Sequence, residues 1–145
     1  MLNKKNFPYK QVIIEVALLA VILLIDLLSK SLVFSFLADK PNHRYEVLKG
    51  IYSLVEAHNY GASFGIFEGK QGFLITLTII AMVGFSALLV LRPNLPKILR
   101  FSLILVVGGG VGNLVDRITF GYVRDFIDYT FLYTFFKIDF AIGNI

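Results

Sequence analysis

The chain has 145 residues, 57% of them hydrophobic and 17% charged, with a mean hydropathy of +0.74; ordinary soluble domains carry roughly a quarter charged residues and a small fold keeps much of its surface exposed, so this composition belongs in a membrane. The absence of cysteine excludes disulfides, thiolate nucleophiles and cysteine-ligated metal centres, and the two histidines, His43 and His58, are too far apart for a helical metal motif. The net charge of +4 sits in short clusters between apolar segments, a topological signal rather than a nucleic-acid footprint.

A basic arm (Lys4, Lys5 and Lys10, no acid) leads into the first predicted span, residues 12–37, which contains Glu15, Asp26 and Lys30 and an unbroken apolar stretch at 16–25. A cleaved signal peptide is the competing reading, but residues 25–30 lack the small-residue cleavage pattern it needs. In the polar loop 38–72, Lys40, Arg44, Lys49 and Lys70 are balanced by Asp39, Glu46, Glu56 and Glu68. Residues 73–91 form the second span, with no charge and a helical rise of about 28 Å, close to the thickness of a bilayer core. Residues 92–100 carry Arg92, Lys97 and Arg100 and no acid, residues 101–115 are a short third span, and residues 116–145 are too polar to cross and too aromatic to float free. Lys and Arg near span ends stay in the cytoplasm. The N-terminus and 92–100 are therefore expected inside, and 38–72 and 116–145 outside, in one membrane domain over 1–145.

With that orientation the unusual polar residues gather on the outer face: Asp26 and Lys30 in span one, Asn59 in the outer loop, Asn113, Asp116 and Arg117 at the end of span three, then Asp125 and Asp128. Ionisable residues in spans mark function or a paired structural contact. Asp26 and Lys30 fit an i,i+4 ion pair with the lysine reaching for the interface as well as they fit a functional role. Asp116 and Arg117 are read first as a structural ion pair. The run at Gly108–Gly112 has neither the preceding strand nor the following lysine of a phosphate loop, and its small-xxx-small spacing suits close helix packing. Ser29 and Ser31 flank Lys30, and adjacent helical residues do not face each other, which disfavours a Ser–Lys dyad. Carboxylates remain: Asp125, Asp128 and Asp139 all lie on the outer side. Two that share a proton can hydrolyse a peptide bond, one activating water while the other protonates the carbonyl oxygen.

The residues just named resemble the bacterial lipoprotein signal peptidase (signal peptidase II) family. Asp26-Leu-Leu-Ser-Lys30 is similar to its first-span D-x-x-x-K, and Asn59-Tyr-Gly-Ala-Ser-Phe64 to N-x-G-A-A/S-F. Gly112-Asn-Leu-Val-Asp-Arg117 followed by Val123-Arg-Asp-Phe126 is similar to G-N-x-x-D-R and V-x-D-F. The resemblance implies a helical membrane bundle (three spans here, four in the family) with a small β-rich outer element around residues 48–67. It implies an aspartic endopeptidase of the bacterial cytoplasmic membrane that removes the signal peptide of diacylglyceryl-modified prolipoproteins before the lipidated cysteine. Asp125 is one implied catalytic aspartate. For the other, Phe140-Ala-Ile-Gly-Asn144 is similar to the start of the family's F-N-x-A-D motif, with Gly143 in place of an aromatic. That alignment puts the second aspartate beyond Ile145 and leads us to expect a chain truncated before its last motif and fourth helix. A gapped alternative uses Asp139. Asn59 and Asn144 would flank the aspartates or the substrate, with Asn113, Asp116, Arg117, Asp26 and Lys30 as the supporting shell. Membrane lipid and the prolipoprotein are the implied partners; no cofactor, metal or nucleic acid is implied, nor an oligomer. The rival reading is a small transporter or channel subunit using Asp26, Lys30 and Asp116 as an ion path, which would place the charges near the bilayer midplane.

Overall fold

A computed structural model describes residues 8–62, 66–137 and 142–144. Three helices, α1 (Tyr9–Leu37), α2 (Gln71–Leu91) and α3 (Lys97–Phe120), are each long and apolar enough to cross a membrane. They extend beyond the expected apolar spans because a backbone entering lipid must satisfy its own hydrogen bonds, so polar residues at the span ends stay helical. Local sequence sets the boundaries. Pro8 precedes α1, where a missing N–H costs nothing. Arg92 caps α2 just before Pro93, and the position before a proline disfavours the helical conformation. Gly121, at φ 82°, supplies the left-handed residue that stops α3.

Helix α3 packs against both α1 and α2, and its glycines permit this on two sides. Gly108 abuts Ile22 of α1, Gly112 abuts the Asp26 carboxylate, and Gly110 abuts Met82 of α2. The expected packing role of the glycine run therefore holds, with Gly108 and Gly112 on the α1 side. Apolar packing concentrates where Leu89, Leu103 and Ile104 meet Leu19, Ile22 and Leu95.

At one end of the bundle sits an antiparallel sheet in the order β1 (Arg44–Leu48), β2 (Tyr52–Asn59), β3 (Val123–Asp128). The first two strands fill part of the expected β-rich loop. The third comes from the segment after α3, where no strand was expected, and it pairs with β2 through Ala57↔Asp125, His58↔Arg124 and Asn59↔Val123. Arg44 binds the sheet together by donating to Ser53 (3.1 Å), Asp128 (2.6 Å) and Thr130 (3.2 Å), the last at the start of a short helix α4 (Thr130–Phe136). On its other edge β3 takes up Gly143, whose carbonyl accepts from Phe126 and Ile127 while its N–H donates to Ile127.

A Cβ at Gly112 would overlap Asp26, whereas one at Gly72 meets nothing within 4 Å. Gly112→Ala should therefore cost more than about 2 kcal/mol, by overpacking and by displacing a buried charge. Gly72→Ala should be neutral or stabilising by up to about 1 kcal/mol. Thermal unfolding in detergent of the two variants reads the contrast; equal midpoints would mean that α1 and α3 do not approach at Gly112.

Candidate active site

The site begins inside the bundle. Lys30 of α1 is fully buried and donates to Asp26 Oδ2 at 2.7 Å and to Asn113 Oδ1 of α3 at 2.9 Å, with Asp116 Oδ2 3.4 Å away. The i,i+4 pair expected of Asp26 and Lys30 forms, but the lysine does not reach for the interface. It turns inward, because two carboxylates and an amide oxygen offer it more than the membrane surface does.

Asp116 and Arg117 do not pair with each other. Neighbouring helical positions point about 100° apart, and the two side chains serve different partners. Asp116, also fully buried, accepts from the Arg124 backbone N–H (3.0 Å), Nε (3.1 Å) and Nη2 (2.8 Å). Arg117 donates from Nη2 to the Gly61 carbonyl at 2.9 Å, and its buried Nε has no partner among the described residues. Arg124, which sequence reasoning passed over, thus clamps β3 to α3; it also reaches Ser31 of α1 at 3.1 Å and stacks over Phe120. Its only sequence signal was its place inside Val-Arg-Asp-Phe, where the neighbouring aspartate drew the attention.

The pairing of β2 with β3 determines what surrounds Asp125. Asp125 lies opposite Ala57, so Asn59, two residues along β2, shares its face and reaches it diagonally. Asn59 Nδ2 donates to Asp125 Oδ2 at 2.8 Å, while its own Oδ1 accepts from Gly61 N at 2.9 Å. From the other edge Asn144 Nδ2 donates to Asp125 Oδ1 at 2.5 Å and to Asn113 Oδ1 at 3.2 Å. A continuous polar chain therefore runs Asp26–Lys30–Asn113–Asn144–Asp125–Asn59–Gly61–Arg117. It borders a cavity of about 210 Å³ lined by Asn59, Ala62, Asn113, Arg117, Val123, Asp125, Ile142, Gly143 and Asn144.

Asp125 is only 4% exposed. Burial pushes its carboxyl above the ordinary value, opposed by the hydrogen bonds from Asn59 and Asn144 and by the charges of Lys30 and Arg117. Among the described residues each carboxylate oxygen has a single amide donor, which leaves lone pairs for a water molecule in the cavity. Asp128 is engaged with Arg44 and Thr130 and does not line this cavity. Asp139 lies outside the described residues, as do residues 63–65 of the Asn59 motif. Among the described residues no group of three or more His, Asp or Glu side chains could share a metal ion.

The fold and this cavity define a polytopic membrane protein with a carboxylate pocket at one end of its helices. Residues 18–145 match the sequence profile of the family described as signal peptidase (SPase) II. Among curated relatives, the lipoprotein signal peptidase of Clostridium tetani is 46% identical over 81 residues, which are 56% of this chain and 52% of that protein. The lipoprotein signal peptidases of Moorella thermoacetica and Caldicellulosiruptor bescii are each 39% identical, over 74% and 81% of this chain and 70% and 75% of their own lengths. The chain thus matches about half of the first relative's length and more of the other two. A solved structure of a bacterial membrane enzyme, obtained by the in meso method, superposes with a TM-score of 0.77 at 25% identity, covering 90% of this chain and 76% of that one. The chain belongs to the signal peptidase II family, a family of membrane peptidases.

Asn59 favours the ionised form of Asp125, because an amide N–H stabilises a carboxylate more than a carboxylic acid. Asn59→Ala should therefore raise the pKa of Asp125 further, so that protonation on acidification begins at a higher pH than in the parent. Infrared difference titration, with Asp125→Asn to assign the carboxyl band, measures the direction. An unchanged or lowered value would show that the Asn59 hydrogen bond does not govern this carboxylate.

Proposed function

We propose that the protein is an aspartic signal peptidase that hydrolyses the signal peptide of diacylglyceryl-modified prolipoproteins, with Asp125 as one of two catalytic carboxylates. The observation that carries the proposal is a buried Asp125, held by one amide on each oxygen, in a polar cavity where the sheet meets the helices. The resemblance of the motifs around Asp26, Asn59, Asn113 and Asp125 supplies the substrate class, and the lipoprotein signal peptidases matched above agree with it.

In the proposed reaction, ionised Asp125 takes a proton from water as the water oxygen attacks the scissile carbonyl carbon. A second, protonated carboxylate gives its proton to the carbonyl oxygen, producing a neutral tetrahedral diol. On collapse, the carbon–nitrogen bond breaks, the diol returns one proton to the dyad, and the proton held by Asp125 passes to the leaving nitrogen. The raised pKa of Asp125 helps it act as this shuttle, since a stronger base accepts a proton more readily. Arg117, whose Nε has no partner among the described residues, and Asn113 would hold the substrate backbone, while Lys30, Asp26, Asp116 and Arg124 keep the wall in place. We place the second carboxylate on the strand-like segment that carries Asn144. That segment already lies against Asp125, and a side chain three residues past Asn144, where the resembled motif has its aspartate, would stay within about 11 Å of Asn144.

Asp125→Asn should abolish processing of a diacylglyceryl-modified prolipoprotein by the natural gene product in a reconstituted membrane, a loss of at least about 10³-fold. Asp139→Asn should keep activity within a few-fold of the parent. Turnover surviving in Asp125→Asn would remove the dyad assignment, and loss of turnover in Asp139→Asn would make Asp139 the partner.

From the positive-residue bias we further propose that the sheet lies outside the cytoplasmic membrane of a bacterium, with the N-terminus and the α2–α3 turn inside. The chain has no cysteine, so cysteines introduced at exposed Lys49 and Asn94 report sidedness directly. An impermeant thiol reagent applied to intact spheroplasts should label Lys49→Cys and spare Asn94→Cys; the opposite pattern would invert the proposed topology.

A further inference from the structure

At the end of the bundle away from the sheet, a groove of about 680 Å³ opens between α1 and α3. Its walls are apolar (Ile14 and Leu18 from α1, Leu95 from the turn, Phe101 and Ile104 from α3), and its rim carries Gln11, Glu15, Lys97 and Arg100. The groove follows α3 from Lys97 to Ile104, about 10 Å along the axis, which is most of the roughly 15 Å hydrocarbon depth of one leaflet.

The charges at the rim are of two kinds. Arg100 is committed: its Nε and Nη2 hold the Glu15 carboxylate at 2.7 and 2.8 Å, and its remaining bonds go to the Arg92 carbonyl (2.8 Å) and the Leu89 carbonyl (2.9 Å) at the end of α2. Glu15 is therefore neutralised where it stands. Around that neutral clasp Lys10, Arg92 and Lys97 are exposed, and no acid other than Glu15 occurs in residues 8–25 or 89–104. The outcome is an acyl-sized apolar slot beneath an uncompensated basic rim. A comparable slot between α2 and α3, about 560 Å³ and lined by Met82, Val83, Val90 and Val107 among others, has no charged residue in its lining.

We propose that the α1–α3 groove is a binding site for an anionic phospholipid, with one acyl chain against Ile14, Leu18, Phe101 and Ile104 and the headgroup phosphate at Lys97, flanked by Lys10 and Arg92. Basic pockets between membrane helices select anionic headgroups, each basic residue adding about 1 kcal/mol near a charged surface, or about fivefold in affinity. The site is separate from the carboxylate cavity and stands whether or not the peptidase reading does. On the proposed topology it faces the cytoplasmic leaflet, and a lipid wedged there would tie α1 to the α2–α3 turn.

Native mass spectrometry of the purified full chain in detergent tests it, with phosphatidylglycerol and phosphatidylcholine of identical acyl chains as probes. The expected result is one saturable phosphatidylglycerol site, at least about fivefold tighter than phosphatidylcholine. Lys97→Glu should erase that preference, while Lys49→Glu on the β1–β2 hairpin should keep it, and both variants should retain the parent unfolding midpoint. Equal affinity for the two lipids would overturn the proposal. So would a preference that survives Lys97→Glu combined with Lys10→Glu and Arg92→Glu, or the lack of any saturable site, as when a second copy fills the groove.

Discussion

The structure depends on a lysine that has no route to water. An ammonium removed from solvent costs several kcal/mol unless its charge and its hydrogen bonds are met, and Lys30 meets both requirements with groups from two helices. The geometry follows from that demand. Asp26 must sit one turn earlier on the same face, Gly112 must lack a side chain so that the carboxylate has room, and Asn113 must point its oxygen inward. Asp116 lies between Lys30 and Arg124, so the lysine is linked through one carboxylate to the first residues of β3. Asp26, Asp116 and Asp125 are matched by Lys30, Arg117 and Arg124, and a cluster with no net charge can exist at a helix end in low dielectric where an unbalanced one would neutralise by proton transfer.

The carboxylate pocket inherits its position from this cluster and its contents from the sheet. Helices alone would leave Asp125 on a loop beyond α3. Pairing with β2 fixes its face, and the clamp of Arg124 on Asp116 sets the height of β3 above the membrane helices. The two asparagines then approach from opposite strands, so Asp125 is gripped by neutral donors. Such donors restrain a carboxylate's orientation without the full charge of an arginine or lysine, and so leave it more basic than a salt bridge would.

The apolar spans were legible because long, nearly uncharged apolar runs have few alternatives in water, and the convergence of polar residues on one end followed once the basic residues fixed the topology. The site was legible through Asn59, Asn113, Asp125 and Asn144, whose motifs place them together although they are as much as 85 positions apart in sequence. Strand β3 was not legible. Val-Arg-Asp-Phe-Ile-Asp alternates poorly, because Arg124 and Asp125 are both drawn inward by partners on other elements. The Asp116–Arg117 pairing failed for a related reason: adjacency in sequence suggested an ion pair, while the helix turned Asp116 toward Arg124 of β3 and Arg117 toward the Gly61 carbonyl beyond β2. The Glu15–Arg100 clasp, 85 positions apart and with no motif, left no local trace.

That clasp and the Lys30 cluster bear on why charges occur in these spans at all. A transport path would need ionisable groups spaced through the bilayer and free to change partners. Here they occupy the two ends of the helices and leave the stretch between them apolar: Glu15 and Arg100 at one end, Asp26, Lys30 and Asp116 at the other, each close to a partner of opposite charge. Arg100 also satisfies the Leu89 carbonyl of α2, whose partner four residues on is Pro93 and has no N–H, and it joins the Leu95 N–H at the Arg92 carbonyl. One charge cluster ties α1 and α3 to the end of α2, the other ties α1 and α3 to β3, and Gly108 and Gly110 let the helices close up between them. A frame pinned at its ends keeps Asp125, Asn113 and Asn144 in mutual register, and a reaction whose barrier depends on the placement of a water molecule between carboxylates benefits from that rigidity more than from any single contact in the cavity.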